Sequence, residues 1–429
     1  MNEKTLKLLE FDVIRKEAAD RALSAEAGKI ILDELPRPDR DETEKQKSLV
    51  AALMERLAYP EGEKRESLPD IEQLFPKLEV EGMVLETDEV YAIGIFIRRA
   101  GTFRQWLLKP LPDPDADPDS AAEIARELPP CSEIAAGIFR IIDNEGKLRD
   151  LPELRAIRKR IQSLQKDIES AGSRYAKSEE TRHMLRSDLP TQRDGRMVLA
   201  LKANFRGRIR GIVHEVSSTG QTIFVEPEEV VEKNNEILIE NRKLEAEIRR
   251  ILRELTGRIA PGLDDLRALH RGIIFLETIR AKARYCHEKK FVFARDLQGT
   301  GEHTGDLVLK QARHPLLGDK AVPLDLSMEG GIRTVIITGP NTGGKTVALK
   351  TLGLLAMMNQ AGLALPVEEG SLLPVFDGIY ADIGDEQSLS QSLSTFSAHM
   401  KNIADTMGRT TGRSLVLLDE LGSDRKSVV

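Results

Sequence analysis

The chain has 429 residues, a formal net charge of −7, 31% charged residues and 4% aromatic residues. That length allows about three domains, and the charge-rich, aromatic-poor balance fits long solvated helices better than a β-sandwich or a lectin-like site. No apolar run of about 18 residues marks a membrane span, the N-terminal segment lacks a signal-peptide pattern, and Cys131 and Cys286 are too few for a disulfide framework or a structural zinc site. The reading is a cytoplasmic protein with no membrane partner, in which local basic patches can still meet nucleic acid.

Residues 1–150 read as a helical core, with Leu6, Leu9, Val13 and Ile14 at helical spacing. The stretch from Pro110 to Asp119 holds four prolines and reads as a loop. From 151 to 260 the pattern is a clamp. Leu154, Ile157, Ile161, Leu164 and Ile168 form an apolar seam on an outgoing arm, 151–188. Ile237, Asn241, Leu244, Ile248, Ile251 and Leu255 do so on a returning arm, 228–260, with Asn241 as a polar seam position that can set register. Between the arms, 193–227 reads as a β tip. Its strands are expected at Met197–Ala200, Gly211–Val213 and Thr222–Val225, with a turn at Ser217–Gly220. A helix after Pro261 makes 261–295 a lever returning to the core.

From 296 to 429 the pattern becomes α/β. Arg333–Thr338 reads as a buried strand, Lys345 to about Ala361 as a helix, and Ser414–Leu418 as a second buried strand. The connecting loop, Gly339-Pro340-Asn341-Thr342-Gly343-Gly344-Lys345-Thr346, matches the phosphate-loop pattern G-x-x-x-x-G-K-[ST] between strand and helix. Its amides and the helix N-terminus would hold phosphates. Lys345 would reach the β and γ oxygens, and the Thr346 hydroxyl would ligate Mg²⁺. The second strand ends in Asp419-Glu420. Asp419 would hold the magnesium and Glu420 would polarise the attacking water. An apolar strand ending in two acids is common alone; beside a phosphate loop it favours an ABC-type ATPase over a small GTPase. In the Ser- and Thr-rich run from Asp382 to Ser397, Ser394 suits a plain helix N-cap. It also suits binding of a γ-phosphate carried by a partner subunit, which Gln387 could sense.

The tip carries Arg193, Arg196, Lys202, Arg206, Arg208 and Arg210 against one acid, Asp194. Such residues can neutralise phosphates without reading bases; the bland reading is a solvated surface. The phosphate track could be that of DNA or of ribosomal RNA.

Together these segments describe a multidomain α plus α/β chain: helical core and lever, a coiled-coil clamp with a small β tip, then an incomplete ABC-type P-loop ATPase domain. At GPNTGGKT from Gly339, IGDEQSLSQSLSTFSAHM from Ile383, LVLLDELG from Leu415, ARHPLL from Ala312 and GIVHEVSSTGQTIFVEPEEVVEKNNE from Gly211, the sequence resembles the type II branch of the MutS superfamily. The resemblance implies a homodimeric ATPase using ATP and Mg²⁺ whose clamp embraces DNA. It places Gly339, Asn341, Gly343, Gly344, Lys345 and Thr346 on nucleotide, with Ser394 and Thr395 acting in trans. His314 and Pro315 lie where the family approaches adenine. The branch is linked to branched DNA and restraint of recombination, and alternatively to rescue of collided ribosomes. Its endonuclease label goes with a C-terminal Smr domain. After Gly422 the sequence departs from the family pattern, and the expectation is truncation after the acidic strand. An SMC-type ATPase would need far longer arms than the roughly three heptads here, and a transporter nucleotide-binding domain would not need a helical core with a clamp.

Overall fold

The computed structural model describes residues 3–59, 61, 63–111, 120–187, 191–193, 195–296, 305–340, 344–383, 404 and 406–419. Its contacts divide the chain into two compact units, one of Met1–Glu72, Ile95–Cys131 and Asp265–Val429, the other of Gln73–Gly94 and Ser132–Asp264.

The first unit opens with α1 (Glu3–Leu8), α2 (Phe11–Ala19), α3 (Ala25–Asp33) and α4 (Arg40–Leu57). Ser24 and Asp39 cap α3 and α4 by accepting from the backbone N–H groups of Ala27 and Glu42. Most of α6 (Thr87–Leu108), then α7 (Ser120–Glu127) and most of α12 (Leu263–Lys289), follow. The strands of this unit are β5 (Leu307–Ala312), β6 (Leu324–Met328), β7 (Ile379–Asp382) and β8 (Leu415–Leu418). β5 and β6 pair antiparallel, whereas β7 and β8 pair parallel, Ile379 opposite Leu415 and Asp382 opposite Leu418. Between them in sequence, α13 (Lys345–Gln360) runs through the centre of the core. Leu354, Leu355, Met357 and Met358 pack with Leu9, Phe11, Tyr285, Leu365, Leu373 and Leu417. From Thr351 onward every residue of α13 is buried, so the helix has no polar face there.

The second unit holds α5 (Phe75–Glu79), the start of α6, α8 (Ser132–Ile141), α9 (Pro152–Lys177), α10 (Glu179–Arg182) and α11 (Glu228–Ile259). Helices α9 and α11 run antiparallel: Arg160 pairs with Glu236, Asp167 with Lys233 at 3.2 Å, and Arg174 with Glu229 at 3.2 Å. Leu164, Ile168 and Ala171 pack on Val230 and Ile237. At the tip, β1 (Thr191–Arg193), β2 (Arg196–Lys202), β3 (Gly211–Val216) and β4 (Thr222–Pro227) form an antiparallel sheet in the order β1-β2-β4-β3. Leu199, Leu201, Ile223 and Val225 fill one face together with Leu185 and Ile209. Ser217 and Gly220 make the β3–β4 turn, with Gly220 at φ 68°.

Two expectations need correction. Residues Arg333–Thr338 form no strand and are exposed, Ile336 at 82%. Their β-branched side chains favour a strand, but a strand needs a ladder partner, and among the described residues β7 and β8 pair only with each other. Asn241 is likewise exposed rather than in the seam; the buried asparagine of α11 is Asn234, two turns earlier on nearly the same face. α11 buries residues near its two ends, while its middle from 238 to 250 has no fully buried residue; the seam residues Leu244 and Ile248 there are half-buried.

Gly211 marks a tight place in the tip. A Cβ there would lie 2.1 Å from the Glu226 carbonyl oxygen, a backbone atom held by the β3–β4 ladder. Gly211→Ala is expected to destabilise the tip sheet by about 1–3 kcal/mol, seen as lost amide protection in β3 and β4. Unchanged protection would show that the ladder is loose at this point.

Candidate nucleotide site and nucleic-acid interface

Helix α13 begins immediately after Gly344, which sits at φ 80°, a left-handed conformation that glycine adopts without a Cβ clash. Its first N–H groups have no helical partner and make its N-terminus the positive end of the helix. Lys345 Nζ donates to the carbonyl oxygen of Gly339 at 2.7 Å. The Thr346 hydroxyl donates to Asp419 Oδ2 at 2.6 Å. Asp419 follows the last residue of β8, and its backbone N–H donates to the carbonyl oxygen of Asp382, which ends β7, at 3.0 Å. Two carboxylate residues therefore stand at the C-terminal ends of adjacent parallel strands, the usual place for ligand chemistry in an α/β sheet. Asp382 was not among the site residues read from the sequence; its signal was only its place at the end of a short apolar run.

A hydroxyl and a carboxylate in direct contact form a set of hard oxygen donors, which fits Mg²⁺ rather than a soft metal. Thr346 and Asp419 are the residues that would hold it. Helix α13 approaches β8 closely because position 353 is glycine: a Cβ there would lie 2.6 Å from Leu417 Cδ1 and 2.8 Å from Leu9 Cδ1.

His314 is buried, 6% exposed. Its Nε2 lies 3.8 Å from Glu10 Oε2. Burial lowers its pKa, opposed by Glu10 and helped by Lys350, which favours the neutral ring. Pro340 is exposed beside Gly339, and Pro315 starts the short 3₁₀ turn Pro315–Lys320 after His314. Asn341, Thr342, Gly343, Gln387, Ser394, Thr395 and Glu420 lie outside the described residues.

At the tip the six basic side chains separate by environment. Arg196 is a correction: it is not a free surface cation. Its Nη1 donates to Glu226 Oε1 and Oε2 at 2.7 and 2.9 Å, and its Nη2 donates to Asn235 Oδ1 at 2.5 Å. Glu226, fully buried at the end of β4, also receives His214 Nε2 at 2.6 Å and Asn234 Nδ2 at 2.8 Å. Asn234 further exchanges bonds with the backbone of Met197, tying α11 to β2. One buried carboxylate thus joins β2, β3, β4 and α11. Arg193 pairs with Glu215 at 3.0 Å and lies over the Phe224 ring at 4.3 Å. Lys202 Nζ donates to the His183 carbonyl oxygen at 2.7 Å. Arg206, Arg208 and Arg210 are exposed and have no ion pair among the described residues. Between them Ile209 is buried and fixes the strip to the tip core. Arg208 and Arg210 line a shallow cleft of about 420 Å³ with Tyr175, Thr181, Glu228 and Glu229.

A family model described as MutS domain V matches residues 335–427. Among curated proteins, an Endonuclease MutS2 of Halalkalibacterium halodurans is 36% identical over 428 residues, 98% of this chain and 53% of the relative. One from Gemmatimonas aurantiaca is 36% identical over 99% of this chain and 52% of its own length. One from Shouchella clausii is 41% identical over 80% of this chain and 43% of its own. The chain spans about half the length of the curated relatives it matches.

The Glu226 cluster carries a pH dependence of known sign. Burial alone would raise this carboxyl, but hydrogen bonds from Asn234, His214 and Arg196 and the Arg196 charge hold it below the usual glutamate value. A depressed folded pKa contributes stability that is complete above the unfolded value, about 4.3, and is lost as pH falls through the folded one. Protection factors in β2 and β4 are therefore expected to fall on acidification below about pH 4, while Glu226→Gln is flat over that window. Parallel profiles for the two proteins would reject the assignment.

Proposed function

The chain is a MutS2-like member of the MutS family, and on that premise we propose that it is the clamp and nucleotide-gate portion of an ATP-dependent DNA-binding protein. The observation that carries this reading is the Thr346–Asp419 contact at the start of α13. A hydroxyl from the helix and a carboxylate from the strand end, brought together across 73 residues of sequence, are what a phosphate-loop ATPase needs to hold magnesium.

In this reading Lys345 leaves the Gly339 carbonyl for the β and γ oxygens of ATP, exchanging a neutral acceptor for a charged one. Thr346 and Asp419 hold the magnesium, which when bound supplies charge neutralisation to those oxygens. Glu420 orients and polarises the attacking water. Ser394 and Thr395, with Gln387 beside them, would meet the γ-phosphate of a second copy, making the site composite and the protein a homodimer. Occupied and empty states differ in affinity for the clamp's ligand, and that difference is what lets nucleotide gate binding.

The clamp contact is assigned to Arg206, Arg208 and Arg210, the three exposed tip arginines without an ion pair. They follow a phosphate track without reading bases, so the reading is a non-sequence-specific grip on duplex or branched DNA, consistent with restraint of recombination. Ribosomal RNA offers the same track and is the alternative ligand.

Two measurements test this. Lys345→Ala is expected to weaken binding of a fluorescent ATP analogue about 10- to 100-fold; wild-type affinity in the variant would remove Lys345 from the phosphate contact. Replacing Arg206, Arg208 and Arg210 with Ala is expected to reduce the slope of log K for duplex DNA against log salt by about two to three, with the tip still folded. An unchanged slope would reject the contact, and a slope that changes only with ribosomal RNA would favour the alternative.

A further inference from the structure

We infer that Gln360, at the far end of α13 from the phosphate loop, is the positioning residue that sets Thr346 against Asp419. The inference rests on the nucleotide reading above and assigns a role to a residue that touches neither phosphate nor metal.

A helix of 16 residues is about 24 Å long, and α13 is buried and unbroken from Thr351 to Gln360. A shift at one end is therefore carried to the other. The carboxamide of Gln360 is completely buried. Its Nε2 donates to the Phe376 carbonyl oxygen at 2.9 Å, while its Oε1 accepts from the Phe376 N–H at 3.0 Å. The side chain thus pairs with Phe376 as a neighbouring strand would. Phe376 lies three residues before β7, β7 is in parallel register with β8, and β8 leads directly into Asp419. Thr346 then bonds back from the first turn of α13 to Asp419. The contacts close a ring: Gln360, Phe376, β7, β8, Asp419, Thr346 and α13. Gly353 seats the middle of the helix on Leu417 within that ring.

A second set of bonds fixes the same helix end from outside the ring. Gln360 Nε2 also donates to the Arg37 carbonyl oxygen at 2.6 Å, and the Arg37 N–H donates to the Gln360 carbonyl oxygen at 2.9 Å. Lys282 Nζ, buried and ion-paired with Glu34, donates to the Ala361 carbonyl oxygen at 2.9 Å. A cation at a helix C-terminus also meets its negative end. The three backbone partners satisfy the buried carboxamide and tie two separate segments, at Arg37 and Phe376, to this helix end. The placement fits that of the outer residues which orient first ligands at metal sites.

The test uses the 429-residue chain and a fluorescent ATP analogue titrated in EDTA and then in MgCl₂. Gln360→Met is expected to leave Mg-free binding within about twofold of wild type and to raise the Mg²⁺ concentration for half-maximal tightening about tenfold or more. Leu107→Ala, a core truncation elsewhere in the same unit, is the stability control. Its expected result is a lowered melting temperature with an unchanged Mg²⁺ requirement. If Gln360→Met does not fold, Lys282→Met is measured in the same way, with the same expected shift. An unchanged Mg²⁺ requirement in the folded variant, or an equal shift in Leu107→Ala, overturns the role of Gln360 and leaves the ATP reading standing. A wild-type chain that binds no analogue rejects the ATP reading, and this inference with it.

Discussion

The Thr346 hydroxyl reaches the Asp419 carboxylate only if α13 and β8 are both placed to within a hydrogen-bond length, and much of the first unit is arranged to do that. The helix carries its apolar residues all the way round from Thr351 onward, so it cannot lie on the surface. It is enclosed by α2, α12 and the segments around Leu365 and Leu373. Close packing of such a core resists small displacements, because each gap forfeits dispersion contacts on every side. The polar groups at the two helix ends are therefore tied off differently. The C-terminal end is satisfied inside the protein, by Gln360, Lys282 and Arg37. The N-terminal end is left to a loop of glycines, a lysine and a threonine. That asymmetry is what an anion site at a helix start requires: a fixed rod with its positive end presented outward.

The tip follows another constraint. A small four-stranded sheet has little apolar area to bury: among the described residues one cluster holds six buried residues with two partly buried neighbours, and a second holds Val198, Ala200 and Phe224. Glu226 adds a polar anchor to these. A buried carboxylate is costly unless its lone pairs are filled, and here Arg196, His214 and Asn234 fill them from two neighbouring strands and a helix. The same cluster that orders the tip removes Arg196 from its surface charge, so the basic strip that remains is shorter and better defined than the sequence count suggests.

Local pattern carried much of the architecture. The apolar spacing at Leu154, Ile161, Leu164 and Ile168 found a buried helix face, and the period-two stretches around Leu199 and Ile223 found strands. The phosphate-loop pattern located the start of α13 to the residue. What escaped was set by partners distant in sequence. Val335-Ile336-Ile337 has every local property of a strand, and whether it becomes one depends on a neighbour for its backbone. Asn241 and Asn234 are seven residues apart on one helix, and only the approach of β2 and β4 makes the second the buried one. β5 and β6 were passed over although their signal was present: Leu307, Val308 and Leu309 are apolar, and Leu324, Leu326 and Met328 alternate with polar residues. Gln360 gave no signal, since a glutamine in an apolar helix is indistinguishable from a surface residue until its three backbone partners are known.

On the proposed reading, an acidic chain that grips a polyanion is not a contradiction once distances are considered. Net charge acts through the summed field, which salt attenuates over about 8 Å at physiological ionic strength. A phosphate at the tip therefore meets chiefly the charges within that range. There Arg206, Arg208 and Arg210 stand exposed, whereas Glu215 is paired with Arg193 and Glu226 with Arg196. Glu228 and Glu229 line the same cleft as Arg208 and Arg210, and Glu229 is paired with Arg174 on α9. Pairing thus neutralises Glu215, Glu226 and Glu229 in place, while Glu228 remains beside the strip from 206 to 210, which keeps its own charge. In that reading the attraction is short-range, salt-sensitive and confined to one loop of a molecule whose overall charge is −7.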